Sequence, residues 1–533
     1  MSTEPREESK AVELIRIAEA NCDFFCDQHG TPFAFVNPPG SVLQLRAREF
    51  KTFLVKEHYA STGEAVGTDA INAALNVLEA KAAEAERVKL AVRCSMDTER
   101  RLAIDLCNKQ ESAVTIEAHG WHVERPEAPT FRRYSHMLPM EVANDGADLR
   151  DFVRFWRLKD PADDVLMAGY IGHMYISDIP KAIHVAIGPK GSTKTSSQRF
   201  IRQLADPSSI EDMTIGEKGN EFVQQLAHHY VPLFDNVSKL QPWQADGLCR
   251  AATGAGFSKR SLYTDDDDVT YRYTRSVLVN GINTPTQRGD FLDRALLFEY
   301  ARVPKGERLE DSEVKTRMAE WLPRLRKSIF DALAVAISNL EQVREEVRDK
   351  PRMADFAIWG EAFCRAIGYA PMEFYNRLMQ KVDETSAIAL ENDVIADLLF
   401  KLFDEEKGRQ YLTSKDRFEG SATELLKVLQ HLNEDLSYVG EKELPASPES
   451  FGRRLGDLEA DLGELGIRIE KNKTTGGKRK LIVRRFRGPP EGSEKLPQPP
   501  QPPLMTISHE SEQSGGSGRN GGLALPSGGG GLS

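Results

Sequence analysis

The sequence predicts a multidomain α/β protein whose centre is a parallel sheet, and three observations carry that expectation. Four short stretches that are apolar throughout, 183–187, 231–234, 276–279 and 295–298, alternate with helical patterns, as strands buried on both faces of a parallel sheet do. The first runs straight into Gly188-Pro189-Lys190-Gly191-Ser192-Thr193-Lys194-Thr195, a glycine-rich turn that opens a helical stretch over 196–204. At 533 residues the chain is also too long for one core, so further domains must flank that sheet.

Residues 1–147 are expected to form an α+β domain. A helix from about 11 leads into a strand over 31–36, helices follow, notably over 68–92, and stretches 102–106 and 113–116 read as a hairpin with a further strand at 120–123. No paired acids or nucleophile spacing accompany the aromatic and histidine residues here, so they read as packing. Residues 148–345 carry the α/β signature, ending in a long helical pattern over 312–347, and 346–392 form a helical extension. In 393–487, helices near 394–403, 422–432 and 450–462 precede stretches 467–471 and 481–485 around a turn at 474–477. That is the order of a winged helix. Residues 488–533 are rich in Pro, Ser and Gly and are expected to be disordered.

Composition narrows the function. Hydrophobic residues at 40% and charged residues at 28% are ordinary for globular domains, and no apolar run approaches the roughly 18 residues of a membrane span. The polar, acidic first ten residues do not read as a secretory signal, so no membrane and a cytoplasmic location are expected. A net charge of −11 excludes a protein coated in DNA-binding charge, and any nucleic-acid contact must be local. Six scattered cysteines form no C-x-x-C pair and are expected to be free thiols. Cys22, Cys26 and His29 have the spacing of a metal clip, but the cysteines fall in a helical apolar pattern with Ile15 and Ile17 and read as core.

The chemistry centres on the glycine-rich turn. Such a turn feeding a helix aims backbone N–H groups at an anion, Lys194 reaches terminal phosphates, and the Thr195 hydroxyl holds Mg²⁺, which together predict a nucleoside triphosphate site over Gly188 to Thr195. Thr193 stands where the usual pattern has its second glycine. An acid is needed at the end of a neighbouring apolar strand to hold Mg²⁺ through water, and Asp235 supplies one, although Asp235-Asn236 would serve equally as a cap or turn. Asn280 ends the next strand, where it can orient the attacking water. Arg294, after Asp293, enters the fourth strand and can project across a subunit boundary as an arginine finger. Lys471, Lys473, Lys478, Arg479, Lys480, Arg484 and Arg485 flank the expected wing, with Arg453 and Arg454 on the preceding helix. They make either a phosphate-contacting face or a solvated charged hairpin. The acidic run 265–268 reads as a solvated loop and His228-His229 as structural.

In these motifs the sequence resembles the ATPase and helicase modules of phages and integrated mobile elements, related to superfamily 3 helicases and poxvirus-type primase-helicases, with an AAA+-like P-loop core. The resemblance covers roughly residues 150–487 and rests on 188–195, Leu233-Phe234-Asp235-Asn236, the stretch 252–263 (ATGAGFSKRSLY), Val279-Asn280-Gly281 and Asp293-Arg294-Ala295-Leu296. It implies a hexameric ring with ATP and Mg²⁺ at subunit boundaries, moving along nucleic acid. Lys194 and Thr195 would bind phosphate and metal, Asp235 would hold the metal, Asn280 would act as sensor, and Arg294 would complete a neighbour's site. Lys259 and Arg260 would lie in the segment facing the central channel. Asn236 departs from the family by standing where a catalytic glutamate is usual. The expected function is a replicative helicase of a mobile element, acting on single-stranded or forked DNA beside a separate primase. The alternative is a DNA-associated switch that binds ATP with little hydrolysis, and a P-loop kinase for a small metabolite sits poorly with the basic C-terminal domain.

Overall fold

The central sheet has four parallel strands in the order Ala295–Glu299, Ile183–Ile187, Leu278–Asn280, Leu233–Phe234. This is a computed structural model, and it describes residues 9–260, 268–286, 288–391, 393–404, 406–414, 416–436, 444–473 and 479–486. Successive side chains of a strand point to opposite faces, and the apolar runs obey this by feeding two cores. Ile183, Val185, Val279 and Leu297 pack on one side with Phe222 and Leu248. Ala186, Leu278, Leu296 and Phe298 pack on the other with Trp156 and Phe330.

The acid-bearing strand differs from expectation in its place. It does not neighbour the strand that feeds the glycine-rich turn, because Leu278–Asn280 lies between and pairs with both. It is also shorter, Leu233–Phe234, and carries on its outer side a parallel bridge to Met213. The helix after the turn runs Lys194–Ala205, beginning inside the motif itself.

Toward the N-terminus, the helix Lys10–Asn21 stops where the sequence reading continued it. Asn21 Nδ2 donates to Ile17 O at 2.8 Å, and Cys22–Cys26 is a strand antiparallel to Pro32–Val36, which pairs in turn with Ser41–Gln44. Cys22-Asp-Phe-Phe-Cys is better suited to a pleated, half-buried surface than to a helix. Both cysteines are buried, and burial pushes the Cys22 thiol up to about 12 and raises that of Cys26. Among the described residues no group of three His, Cys, Asp or Glu side chains could hold a metal. Thr68–Glu84 also ends earlier than expected, since Val88 N donates to Cys26 O at 2.9 Å and draws the chain into an extended path.

The core continues across the expected boundary at 147. The antiparallel sheet Cys94–Met96, Leu102–Asp105, Ala113–Glu117, Gly120–Glu124 buries Leu102, Ile104, Val114 and Ile116 in the same cluster as Trp156 and Phe330. Trp121 meets Phe330 edge-on at 5.7 Å and donates its indole N–H to Asp331 at 2.9 Å on the long helix Asp311–Glu346. Helices Ala354–Ala366 and Glu373–Glu391 join this cluster through Phe363, Phe374 and Leu378, so the expected helical extension is part of the main core.

The C-terminal region has a core of its own around Leu399, Phe403, Leu429, Phe451, Leu455, Ile467 and Val483. Helices Val394–Asp404 and Ala422–Leu436 are separated by a strand, Arg417–Gly420, that the sequence reading did not contain. The expected third helix is broken at Leu458 into Pro448–Asp457 and Glu459–Glu464. Ile467–Lys473 and Arg479–Arg485 pair antiparallel, and Arg417–Gly420 joins the outer side of the latter, giving three strands. The expected turn at 474–477, the tail 488–533 and residues 265–267 of the acidic run lie outside the described residues.

Candidate nucleotide-binding site

The glycine-rich turn takes its shape from backbone that most residues avoid. Gly188 has φ +143°, and a Cβ there would lie 2.7 Å from Tyr300 O, so no other residue fits. Gly191 has φ +78°. Thr193 holds φ 40° without a glycine's freedom, at a cost of about 1–2 kcal/mol. Its hydroxyl lies 3.4 Å from Trp156 O. Ser192 is buried and its Oγ donates to Pro189 O at 2.8 Å, while Pro189 and Lys190 stand exposed on the outer turn.

Lys194 folds back over this turn. Its Nζ donates to Gly188 O at 2.7 Å, Pro189 O at 3.0 Å and Ser192 Oγ at 3.1 Å. Burial lowers the pKa of its ammonium, and Asp235 opposes that shift. Next to it, Thr195 Oγ1 donates to Asp235 Oδ1 at 2.9 Å, and Asn280 Nδ2 donates to the same oxygen at 2.7 Å. Asn280 is buried, and its Oδ1 accepts from Asn236 N at 2.9 Å. Asn236 itself is exposed at φ 55°, a left-handed conformation that asparagine tolerates well. Thus Thr195, Asp235 and Asn280 meet at the carboxyl ends of three parallel strands, where open α/β sheets bind ligands. The intervening strand explains the meeting: Asn280 stands between turn and acid and bonds to the acid.

Arg294 lies elsewhere. It precedes Ala295, which pairs with Ile183 at the amino end of the sheet, so the length of the strands separates it from Gly188. Its guanidinium donates to Asp290 O. Within one chain it takes no part in this cluster.

Beside the turn the structure has a cavity of about 670 Å³ that the sequence reading missed. Gly191, Thr193 and Ser196 form its floor. One wall is the end of the Leu149–Phe155 helix with Trp156, the other is the first turns of the long helix, where Val314, Arg317 and Trp321 share a face at helical spacing. Phe155 and Trp321 meet edge-to-face at 5.8 Å, and the Arg317 guanidinium sits 5.4 Å above Phe155. The only hint in the sequence was that 311–321 has apolar residues on one helical face; nothing local says that face looks toward residue 191.

The expected nucleic-acid contacts fall into two groups. Lys259 and Arg260 lie on Phe257–Arg260, antiparallel to Asp268–Tyr271; their side chains and the connecting segment are outside the described residues. In the C-terminal domain Arg453 is exposed, with no ion-pair partner among the described residues. Its neighbours are engaged: Arg454 with Asp393 at 2.6 Å, Lys471 with Glu459 at 2.5 Å, Lys480 with Glu419, and Arg485 with Asp404 at 3.3 Å. Lys473 and Arg479 are paired in register, but their side chains, and Lys478 altogether, lie outside the described residues.

His228 and His229 have structural partners. His229 Nδ1 is 2.9 Å from Arg202 Nη2, its ring meets that of His136 at a tilt with centroids 4.0 Å apart, and His228 stacks on Tyr134 at 4.3 Å, joining the N-terminal segment to the core.

Fold and cluster together define a multidomain α/β protein with a parallel-sheet core, a polar cluster at its carboxyl edge and a separate helix-and-hairpin domain. Residues 151–384 match the family model of the actinomycete integrative conjugative element replication protein, RepA, and residues 407–493 match that of the RepA C-terminal domain of the same elements; the chain is a replication protein of a mobile element. It is similar to solved apo structures of the NrS-1 C-terminal region. One, spanning 305–718 of that protein, has 10% identity and TM-score 0.40, covering 90% of this chain and all of the other; an A-form structure has 10% identity and TM-score 0.41, covering 89% and 99%. No curated protein matches the chain in sequence. No helix among the described residues is long and apolar enough to cross a membrane.

Proposed function

We propose that this replication protein is an ATP-driven DNA motor, a ring-forming helicase of its mobile element. The observation that carries the reading is the meeting of Thr195, Asp235 and Asn280 beside Lys194 at the mouth of a glycine-rich turn. A hydroxyl and a carboxylate 2.9 Å apart are hard oxygen donors of the kind Mg²⁺ takes in pairs, leaving its other positions to water and phosphate. Bound there, Mg²⁺ would neutralise charge on the phosphates.

The chain's own residues do the rest. The first N–H groups of Lys194–Ala205 face the turn and attract an anion. Lys194 exchanges three neutral oxygens for phosphate oxygens, and charge-assisted bonds are the stronger. Asn280, fixed by its bonds to Asp235 and Asn236, orients the acid and offers its amide toward attacking water. Asn236 cannot take that water's proton, so turnover is slow unless another acid enters. Arg294, remote from its own turn and held by Asp290 O, would exchange that carbonyl for a phosphate of a neighbouring copy in a ring. In the C-terminal domain, helices Val394–Asp404 and Glu406–Arg409, the strand Arg417–Gly420, the helix Ala422–Leu436, the broken helix 448–464 and two closing strands, with Arg417–Gly420 on the outside, support a winged helix bearing on DNA.

The test is ATP turnover by the full chain with Mg²⁺, with and without single-stranded DNA. Stimulation by DNA, abolished in Lys194→Ala, is expected; turnover indifferent to DNA contradicts the motor. Asn236 favours a second reading, a nucleotide-binding switch with little hydrolysis. Tight ATP binding without turnover supports it, whereas faster turnover in Asn236→Glu shows a site otherwise built for hydrolysis.

A further inference from the structure

We infer that the cavity between residues 149–157 and the first turns of the long helix receives the base of the bound nucleotide, stacked against Trp321. This rests on the reading of the turn as a phosphate site, and deepens it by assigning the other half of the ligand. The cavity is a half-open cleft that reaches Gly191, Thr193 and Ser196, so a molecule whose phosphates lie in the turn has a recess beside it for the remainder. Its volume of about 670 Å³ is in the range of small-molecule sites, and more than a phosphate tail needs.

Its lining is apolar and aromatic where a base would lie and of mixed charge at the rim, where Arg157 pairs with Glu307 and Arg154 with Asp151. Trp321, Phe155 and Val314 are half-buried, and Leu309 remains 39% exposed, which leaves a continuous apolar wall facing solvent. A flat heteroaromatic ring covers such a wall and keeps its polar edge outward. The rings of Phe155 and Trp321 stand 71° apart, so one planar ring system can lie parallel to only one of them, and with the Arg317 guanidinium over Phe155 that ring is Trp321. Arg308 approaches the turn from the same side, 3.3 Å from the position of a Cβ on Gly191, where a guanidinium meets the sugar-phosphate junction. None of these groups reads a particular base edge through a buried hydrogen bond, so recognition is by stacking, and a two-ring purine gains more than a pyrimidine.

The experiment compares Mg²⁺-dependent binding of ATP, CTP and inorganic tripolyphosphate to the full chain by calorimetric titration. Tripolyphosphate reports on the turn alone, ATP on turn and cavity. ATP is expected to bind about tenfold or more tighter than tripolyphosphate, with CTP between them, the range set by stacking one base on aromatic side chains. Trp321→Ala removes that advantage and leaves tripolyphosphate binding within about twofold, and Trp321→Phe keeps most of it. Leu309→Ser, an uncharged change at a position 39% exposed, lowers ATP affinity without touching tripolyphosphate. ATP and tripolyphosphate binding equally, or an ATP advantage that survives both Trp321→Ala and Leu309→Ser, overturns the base site while the turn stands. If neither ligand binds the wild type, the turn reading fails and takes this inference with it.

Discussion

The carboxyl edge of the central sheet and the C-terminal domain each gather polar side chains, yet they do so in opposite ways. At the sheet edge every polar group is bonded to another member of the same cluster: Lys194 to the turn, Thr195 and Asn280 to Asp235. In the C-terminal domain the cations pair with acids that the motifs do not include, Asp393, Glu459, Glu419 and Asp404. The difference teaches that the residues of the polar cluster are marked in the sequence by their places at strand ends, whereas the charge of a surface depends on which acids folding brings alongside.

The sharpest way to break that comparison is at Asp235. If the cluster works as a unit, Asp235→Ala lowers Mg²⁺-dependent turnover by roughly a hundredfold or more, because it removes the metal's partner and leaves the buried Asn280 amide unpaired. Steady-state kinetics check this, and a loss under tenfold says the cluster is a structural knot.

A change of pH separates the regions by stability. Burial first, then Arg202, holds His229 down to about 3, and burial first, then Arg132, holds His228 down to about 4. Each binds a proton more readily in the unfolded chain, near 6.5, so the stability they support is whole above that pH and is lost as pH falls toward 4 and 3. Between pH 7.5 and 5 the main core should lose about 4 kcal/mol, about 2 kcal/mol from each histidine, read from its denaturant midpoint. The C-terminal domain, which buries no histidine among its described residues, should change little, and equal loss in both contradicts the assignment.

Within the C-terminal domain, Arg453 is set against Lys471. Exposed pairs are worth roughly 0–1 kcal/mol, so Lys471 must leave Glu459 before it meets a phosphate, whereas Arg453 is ready. Arg453→Ala should reduce DNA affinity more than Lys471→Ala and lower the salt slope by about 1, measured by fluorescence anisotropy over a salt series. Equal effects mean the ion pairs do not matter.

The smallest effect is at Thr193. Removing a left-handed threonine relieves about 1–2 kcal/mol, but glycine gives back about 0.5–1 kcal/mol through the unfolded chain. Thr193→Gly should therefore raise core stability by no more than about 1.5 kcal/mol and leave ATP affinity intact, as chemical denaturation and titration would show.

Much of the core was legible because its signals are local. The run 183–187 is apolar enough to be buried on both faces, and Gly188 and Gly191 mark backbone that other residues resist. The exchange of neighbours that put Leu278–Asn280 beside the turn strand was not legible, since strand order is decided by how helices pack and leaves no mark in either strand. Cys22–Cys26 misled because helix and strand templates overlap over five residues, and a side-chain bond from Asn21 ended the helix. Arg417–Gly420 is short and half polar, and becomes a strand by pairing with Arg479–Arg485. The cavity beside the turn joins residues from 155 to 321, and no window of sequence spans it.

Titration of Mg·ATP into the full chain, wild type against Lys194→Ala, tests the central claim most directly. The account predicts saturable binding by the wild type and loss of at least about a hundredfold in affinity when the ammonium is removed with the fold intact. Equal affinity in the two proteins would mean that the turn ahead of Lys194 holds no phosphate.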